Sequence, residues 1–328
     1  MRISNTILAL LSIYLVFFAT TAAADWYEKS ASIMGTQIHA EVWHEDSTVA
    51  ENALVAVMQE MRRIDYLMSP FKPESELSLL NKNAYSRPYA VSPELFDLLE
   101  RSNWISELTE GAFDVTYASA GRYYDFRKAI RPELAQLELA IEAIDYRHLL
   151  FDKTNRTIRF AHKDVYIDLG GIAKGYAVDR CVELLRKMGF SQAMVSAGGD
   201  SRIIGDHRGQ PWSIGIKAPR NPQAMVAVLP LENTAISTSG DYERFFIEDG
   251  VRYHHILDPE TGQSVLGSRS VTILGEEATF TDALSTSVFV LGPVKGLALV
   301  NRLPGVDAVI VDADGELQFS DDLLQLVD

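Results

Sequence analysis

The chain opens on a period of two and then changes to a helical period. Residues 28–43 alternate polar and apolar side chains around Ile33, Ile38, Ala40 and Val42, which predicts a strand. From Ser47 to Leu67 the apolar residues Val49, Leu54, Val57, Met58, Met61 and Ile64 fall at helical spacing, with acidic residues early and arginines late. A second helix is predicted from Ser92-Pro93, a cap with proline in the first turn, to Glu110-Gly111. Leu149 to Val165 reads as two short strands joined by Lys153-Thr154-Asn155-Arg156, and Ile172 to Met188 as a helix ended by Gly189. Between Ala193 and Ile273 short strands, Ser213–Ile216 and Val226–Leu229 among them, are separated by Gly, Pro, Asn and Asp turns. Helices return at Thr281–Leu291 and Val294–Leu303, and a hairpin around Asp312-Ala313-Asp314-Gly315 closes the pattern.

Helices first, then a run of strands, then helices again is not the steady alternation of a doubly wound sheet. The order predicts an α+β fold: one elaborated catalytic domain over residues 25–328, with a mixed or antiparallel sheet and flanking helices. No long Gly/Ser/Pro linker, low-complexity tract or internal repeat interrupts it.

The first residues follow a different logic. Arg2, the apolar run Ile7 to Thr20 and the small residues Ala22-Ala23-Ala24 before Asp25-Trp26 form a signal-peptide pattern, with cleavage expected after Ala24. A membrane anchor is the other reading, but the run is shorter than the roughly 20 apolar residues that span a bilayer. No twin arginine is present and no cysteine follows the run, so neither folded export nor a lipoprotein anchor is indicated. The expected location is periplasmic.

Composition narrows the function classes. The 328 residues are 47% hydrophobic and 23% charged, which excludes disorder and fibrous repeats. Acidic residues outnumber basic ones 45 to 30, a net −15, so no nucleic-acid partner is expected, because phosphate neutralisation needs a basic surface. The single cysteine, Cys181, excludes an intramolecular disulfide and any cysteine-based zinc or iron–sulfur site.

Three segments carry chemistry. Asp168-Leu-Gly-Gly-Ile-Ala-Lys-Gly-Tyr-Ala-Val-Asp179 follows the apolar Val165-Tyr166-Ile167, so a glycine pair is delivered to a helix start, where backbone N–H groups are free for an anion. Lys174 puts a cation where the helix dipole disfavours one, which suggests an anionic partner such as phosphate. A tight turn with a solvent-facing lysine fits the same residues. Walker A and dinucleotide-fingerprint patterns are both absent. Asp282 and Thr286, four apart, share one helix face, and two oxygen ligands joined by a carbonyl from the glycine turn suit Mg²⁺. An N-capping aspartate with a buried threonine explains that pair equally. In Tyr253-His254-His255-Ile256-Leu257-Asp258-Pro259-Glu260-Thr261-Gly262 adjacent histidines point to opposite faces, so at most one enters a given cleft. His255 is the candidate general base.

Met34-Gly35-Thr36, Ala112-Phe113-Asp114-Val115-Thr116, Ser196-Ala197-Gly198-Gly199-Asp200 and Ser237-Thr238-Ser239-Gly240-Asp241-Tyr242 add small-residue loops, three of them bearing an acid. Their order together with the three segments above resembles the ApbE family, the FAD:protein FMN transferases, over roughly residues 28–318. The resemblance implies Mg²⁺-dependent splitting of FAD at its pyrophosphate, transfer of the FMN half to a threonine hydroxyl of a target flavoprotein, and release of AMP. It places the metal on Asp282, Thr286 and the backbone carbonyl of Gly171. It places FAD against Met34, Phe71, Ala112, Phe113, Asp114, Asp168, Lys174 and His255-Ile256. Family members often carry tyrosine at the position of Phe71, so stacking survives here and a hydroxyl bond does not. The implied partner is an exported or membrane-attached flavoprotein subunit bearing the acceptor threonine. The same residues also suit a periplasmic FAD pyrophosphatase, and a non-catalytic flavin-binding protein is the third alternative.

Overall fold

The computed structural model describes residues 25–327. The leader Met1–Ala24 and its expected cleavage site lie outside the described residues. Eight strands form one sheet in the order Asp25–Ile33, Thr36–His44, Ala193–Ala197, Asp200–Ile204, Ala235–Gly240, Ser268–Gly275, Asp307–Asp312 and Leu317–Phe319. Every neighbouring pair is antiparallel, so the fold is α+β with an antiparallel sheet.

The one strand expected at 28–43 is a hairpin. Asp25–Ile33 pairs with Thr36–His44 through a turn in which Met34 (φ 55°) and Gly35 (φ 70°) are both left-handed, the geometry that matches the twist of flanking strands. Alternation continues through such a tight turn, so the period alone does not reveal the reversal. The helix Ser47–Met68 starts at Asp46, whose carboxylate accepts from the N–H groups of Thr48 and Val49. The helix Pro93–Leu108 starts at Ser92, whose hydroxyl accepts from Leu95 N–H. The short helices Glu76–Asn83 and Leu134–Ile141, too brief for a clear period, join the predicted set.

Two helices set the site. Ala173–Lys187 packs its Ala177, Val178, Cys181, Val182 and Leu185 into the main core beside Ser47–Met68. Ala278–Val300 packs Leu284, Val288 and Phe289 against Val271, Ile273 and Ile310 of the sheet. It is apolar and long enough to cross a membrane, yet here it is a core helix packed on both the sheet and Ala173–Lys187. Gly292 (φ 74°, ψ 174°) followed by Pro293 breaks it, so the two expected helices meet at a kink.

Candidate active site

The glycine segment positions its chemistry by close approach. A side chain at Gly175 would stand 2.0 Å from the Ala278 carbonyl oxygen and 2.8 Å from Asp282 Cβ, so only glycine lets the two helices meet there. Asp179, one turn on, is buried and fastens the start of the second helix. Its carboxylate accepts from Ala278 N–H (2.9 Å), Thr279 N–H (2.8 Å) and Thr279 Oγ1 (2.5 Å), and Arg202 neutralises it at 2.7 Å. The Asp282 carboxylate then accepts from Gly175 N–H at 3.0 Å and from Lys174 Nζ at 3.0 and 3.1 Å.

Lys174 is therefore neither solvent-facing nor free. Its ammonium also lies 2.8 Å from Asp200 Oδ2, and it donates to the Gly170 carbonyl at 3.2 Å. The anionic partner suggested by its place at a helix start is, in the structure, a pair of carboxylates. One ammonium between Asp200 and Asp282 leaves this cluster net negative. Burial, and then the neighbouring Asp200 charge, push the Asp282 carboxyl up to about 7. The same two carboxylates hold Lys174 protonated, well above its ordinary value.

Asp282 does not cap its helix, because Glu277 occupies that position. Thr286 lies one turn beyond Asp282, within 3.2 Å of Ser239 Oγ, which also pairs with Ser285 at 2.8 Å. Gly171 faces it: a Cβ there would stand 3.4 Å from Thr286 Oγ1 and 3.3 Å from the Phe113 ring. Among the described residues no three His, Cys, Asp or Glu side chains cluster to hold a metal. The donors that the resemblance implies are one carboxylate, one hydroxyl and the Gly171 carbonyl: Thr286 stands against Gly171, and Asp282 lies one turn back on the same helix with its oxygens on Lys174 and Gly175. All of these are hard oxygen donors, which fit Mg²⁺ with its remaining places left to water and phosphate.

His254 ends the strand Val251–His254 and His255 follows it in a bend, so the two rings meet different surroundings. His254 is buried, its Nε2 2.6 Å from the Val265 carbonyl and its ring edge-on to Phe289. His255 faces the other way, is partly exposed, and its buried Nδ1 has no hydrogen-bond partner among the described residues. Burial first, then the positive charges of Arg244 and its other neighbours, lower its pKa to about 3. The ring is thus neutral and able to accept a proton, but in the free protein it is a weaker base than an ordinary imidazole. An anion bound beside it raises that basicity.

Of the remaining residues, Asp168 and Phe113 adjoin the glycine segment. Asp168 accepts from Gly170 N–H at 2.6 Å, and burial holds its carboxyl above the usual range. Phe113 is buried against Gly171. The Asp114 carboxylate is taken up by Thr116 N–H (2.7 Å), Thr116 Oγ1 (2.6 Å) and Tyr146 N–H (2.7 Å), which leaves backbone rather than side chain to meet a ligand at 112–114. Burial raises that carboxyl to about 6. Ile256 is buried beside His255, and Met34 sits at the hairpin turn against the main core. Phe71 is 84% exposed, an aromatic face open for stacking.

Two residues were not singled out from the sequence. Asp200 ends a small-residue loop and becomes the second carboxylate on Lys174. Arg244 shares its backbone carbonyl with His255 N–H at 3.1 Å, and its guanidinium lies close to the Met34-Gly35 turn. Its charge acts on Asp168, His255 and Tyr117, and the guanidinium has no carboxylate partner among the described residues. Ser-Gly-Asp-Tyr-Glu-Arg ends on this cation, and only the fold brings it to the glycine segment.

The ApbE family's sequence profile matches residues 34–310. The FAD:protein FMN transferase of Treponema pallidum is 32% identical over 313 residues, covering 90% of this chain and 86% of that protein. The FAD:protein FMN transferase of Vibrio cholerae is 31% identical over 329 residues, covering 96% of each. Among solved structures, the ApbE protein of Thermotoga maritima superposes with a TM-score of 0.84 at 36% identity, covering 92% of this chain and 99% of that one. The flavin transferase ApbE of Vibrio cholerae gives 0.82 at 28% identity, with the same coverage. Matched by the family's profile over most of its length and by relatives above 30% identity that cover nine-tenths or more of it, this chain belongs to the ApbE family.

Proposed function

We propose that this chain is an FAD:protein FMN transferase that needs Mg²⁺, moves the FMN half of FAD onto a threonine hydroxyl of an exported or membrane-attached flavoprotein, and releases AMP. The leader pattern supports action in the periplasm, and the names of the relatives support the reaction class. The observation that carries the metal requirement is the pair of carboxylates on Lys174. An ammonium already outweighed by Asp200 and Asp282 is a poor holder for a diphosphate, which supports a divalent cation as the group that changes the local sign.

Asp282, Thr286 and the Gly171 carbonyl would hold that cation, which when bound neutralises charge on the diphosphate. The chain's own residues do the rest. Lys174 fixes the Asp282 carboxylate, Arg244 adds a cation that no carboxylate has claimed, and Phe71 offers a stacking face to a ring. The threonine oxygen attacks the FMN-side phosphorus while the bond from that phosphorus to the bridging oxygen breaks. The threonine proton passes to neutral His255, and AMP leaves with the bridging oxygen. Alignment and charge neutralisation dominate such transfers, and a positioned base contributes about 10²–10⁴ in rate.

Chromatography of FAD incubated with the protein tests the metal assignment. AMP should be released and FMN become attached to the acceptor protein when Mg²⁺ is present, and both should vanish with chelator or in Asp282→Ala. Undiminished cleavage in the presence of chelator would remove Asp282 and Thr286 from the account.

A further inference from the structure

A second concavity of about 180 Å³ lies away from the glycine segment, between the end of strand Ala235–Gly240, strand Val251–His254 and the start of Ser268–Gly275. Three guanidinium groups line it, from Arg220, Arg252 and Arg269, against one carboxylate, Asp241. Arg220 grips Asp241 bidentately at 2.7 and 2.6 Å, so that pair is self-sufficient. Arg252 reaches the same carboxylate only at 3.8 Å and lies over the Phe245 ring. Arg269 donates to the Ala313 carbonyl at 2.6 Å and has no ion-pair partner among the described residues. Burial, with the Arg220 charge adding to it, pulls Arg252 below its ordinary value.

An independent observation points into the same space. Ser268 lines the cavity, is 3% exposed, and its hydroxyl has no hydrogen-bond partner among the described residues. A buried hydroxyl left without a partner is destabilising, and a ligand oxygen would remove that cost. In a chain of net charge −15 a pocket with three guanidinium groups against one carboxylate, and a spare donor, is a local reversal of sign. We propose that this cavity is a binding site for a small oxyanion of the phosphate class, held by Arg252 and Arg269 with the Ser268 hydroxyl as a further donor.

Its volume sits below the roughly 300–1,000 Å³ of sites that enclose drug-sized ligands, so the group bound inside is small. Inorganic phosphate or the phosphoryl end of a nucleoside monophosphate, its nucleoside left outside, has the required chemistry. His254 ends its strand and lines this cavity, while His255, the next residue, feels the charges of Arg244 and Lys174 at the candidate active site, so adjacent residues serve the two sites.

Isothermal calorimetry of phosphate into protein loaded with FAD and Mg²⁺, with no acceptor protein present to turn the FAD over, tests the proposal. FAD keeps the candidate active site filled, so one phosphate per chain should still bind. Arg269→Gln should weaken it by about tenfold or more, and Ser268→Ala, which leaves the arginines in place, by a smaller factor. Competition by AMP would identify a nucleotide phosphoryl group as a source, and its failure would leave inorganic phosphate. No binding to the FAD-loaded protein, equal affinity in both variants, or the same effect from chloride at matched ionic strength would overturn the site.

Discussion

Replacing Gly175 by alanine separates a shape-determined site from a merely glycine-rich turn. The added Cβ would stand 2.0 Å from the Ala278 carbonyl oxygen, where real Cβ atoms keep about 3.0 Å, so the two helix backbones must part by about 1 Å. Overpacking of this kind costs about 1–3 kcal/mol. The Gly175 N–H bond to the Asp282 carboxylate stretches with it, and a bond to a charged acceptor contributes about 1.5–3 kcal/mol. Alanine returns about 0.5–1 kcal/mol in helix propensity, which leaves a net loss of about 1.5–5.5 kcal/mol. For a domain of this size that lowers Tm by several degrees. A displacement of about 1 Å at the chemistry can cost about 10²-fold in turnover. Calorimetry of Gly175→Ala should show the lowered Tm, and FAD cleavage with Mg²⁺ should show the lost rate. A variant as stable as the parent and within about twofold of its activity would refute the close-approach argument.

Other consequences follow from the same groups. Because His255 titrates near 3 when folded and near 6.5 when unfolded, the unfolded state binds the extra proton between those values, so stability falls as pH drops below about 6.5. Denaturant titration of His255→Gln should therefore show a flatter acid limb, by at most about 1.4 kcal/mol per pH unit; an unchanged slope would mean the ring is not held neutral. Asp282 titrates near 7 and a metal needs it ionised, so apparent Mg²⁺ affinity should drop about tenfold per pH unit below that value, and a flat profile from pH 7 to 5.5 would exclude Asp282 as a ligand. Arg244→Gln should weaken FAD binding or slow its cleavage by about tenfold, while Arg244→Lys retains part of the function; two silent variants would take the arginine out of the site.

The sequence disclosed what local pattern can carry and hid what depends on approach. The helix Ala173–Lys187 announced itself through period and its glycine stop, and Asp282 with Thr286 through their four-residue spacing. The hairpin at Met34-Gly35 was invisible because alternation runs unbroken across a two-residue turn. Lys174 was legible as an unusual cation, but its partners Asp200 and Asp282 lie on two other elements, and no spacing rule links them. Asp179 looked like the end of a motif. Only the fold shows it fastening the N-terminus of the helix that carries Asp282. Arg244 had no local signal at all, since an exposed arginine before a strand is ordinary until the chain brings it beside His255 and the Met34-Gly35 turn.

The central claim is that this site moves FMN to a threonine rather than to water. Intact-mass analysis of an exported flavoprotein carrying an acceptor threonine, incubated with FAD, Mg²⁺ and this protein, tests it directly. The account predicts that the acceptor gains the mass of FMN less water, with one AMP released for each FMN attached, and that His255→Ala keeps FAD bound but loses the mass gain. An acceptor of unchanged mass with free FMN accumulating in solution would contradict it and leave a hydrolase.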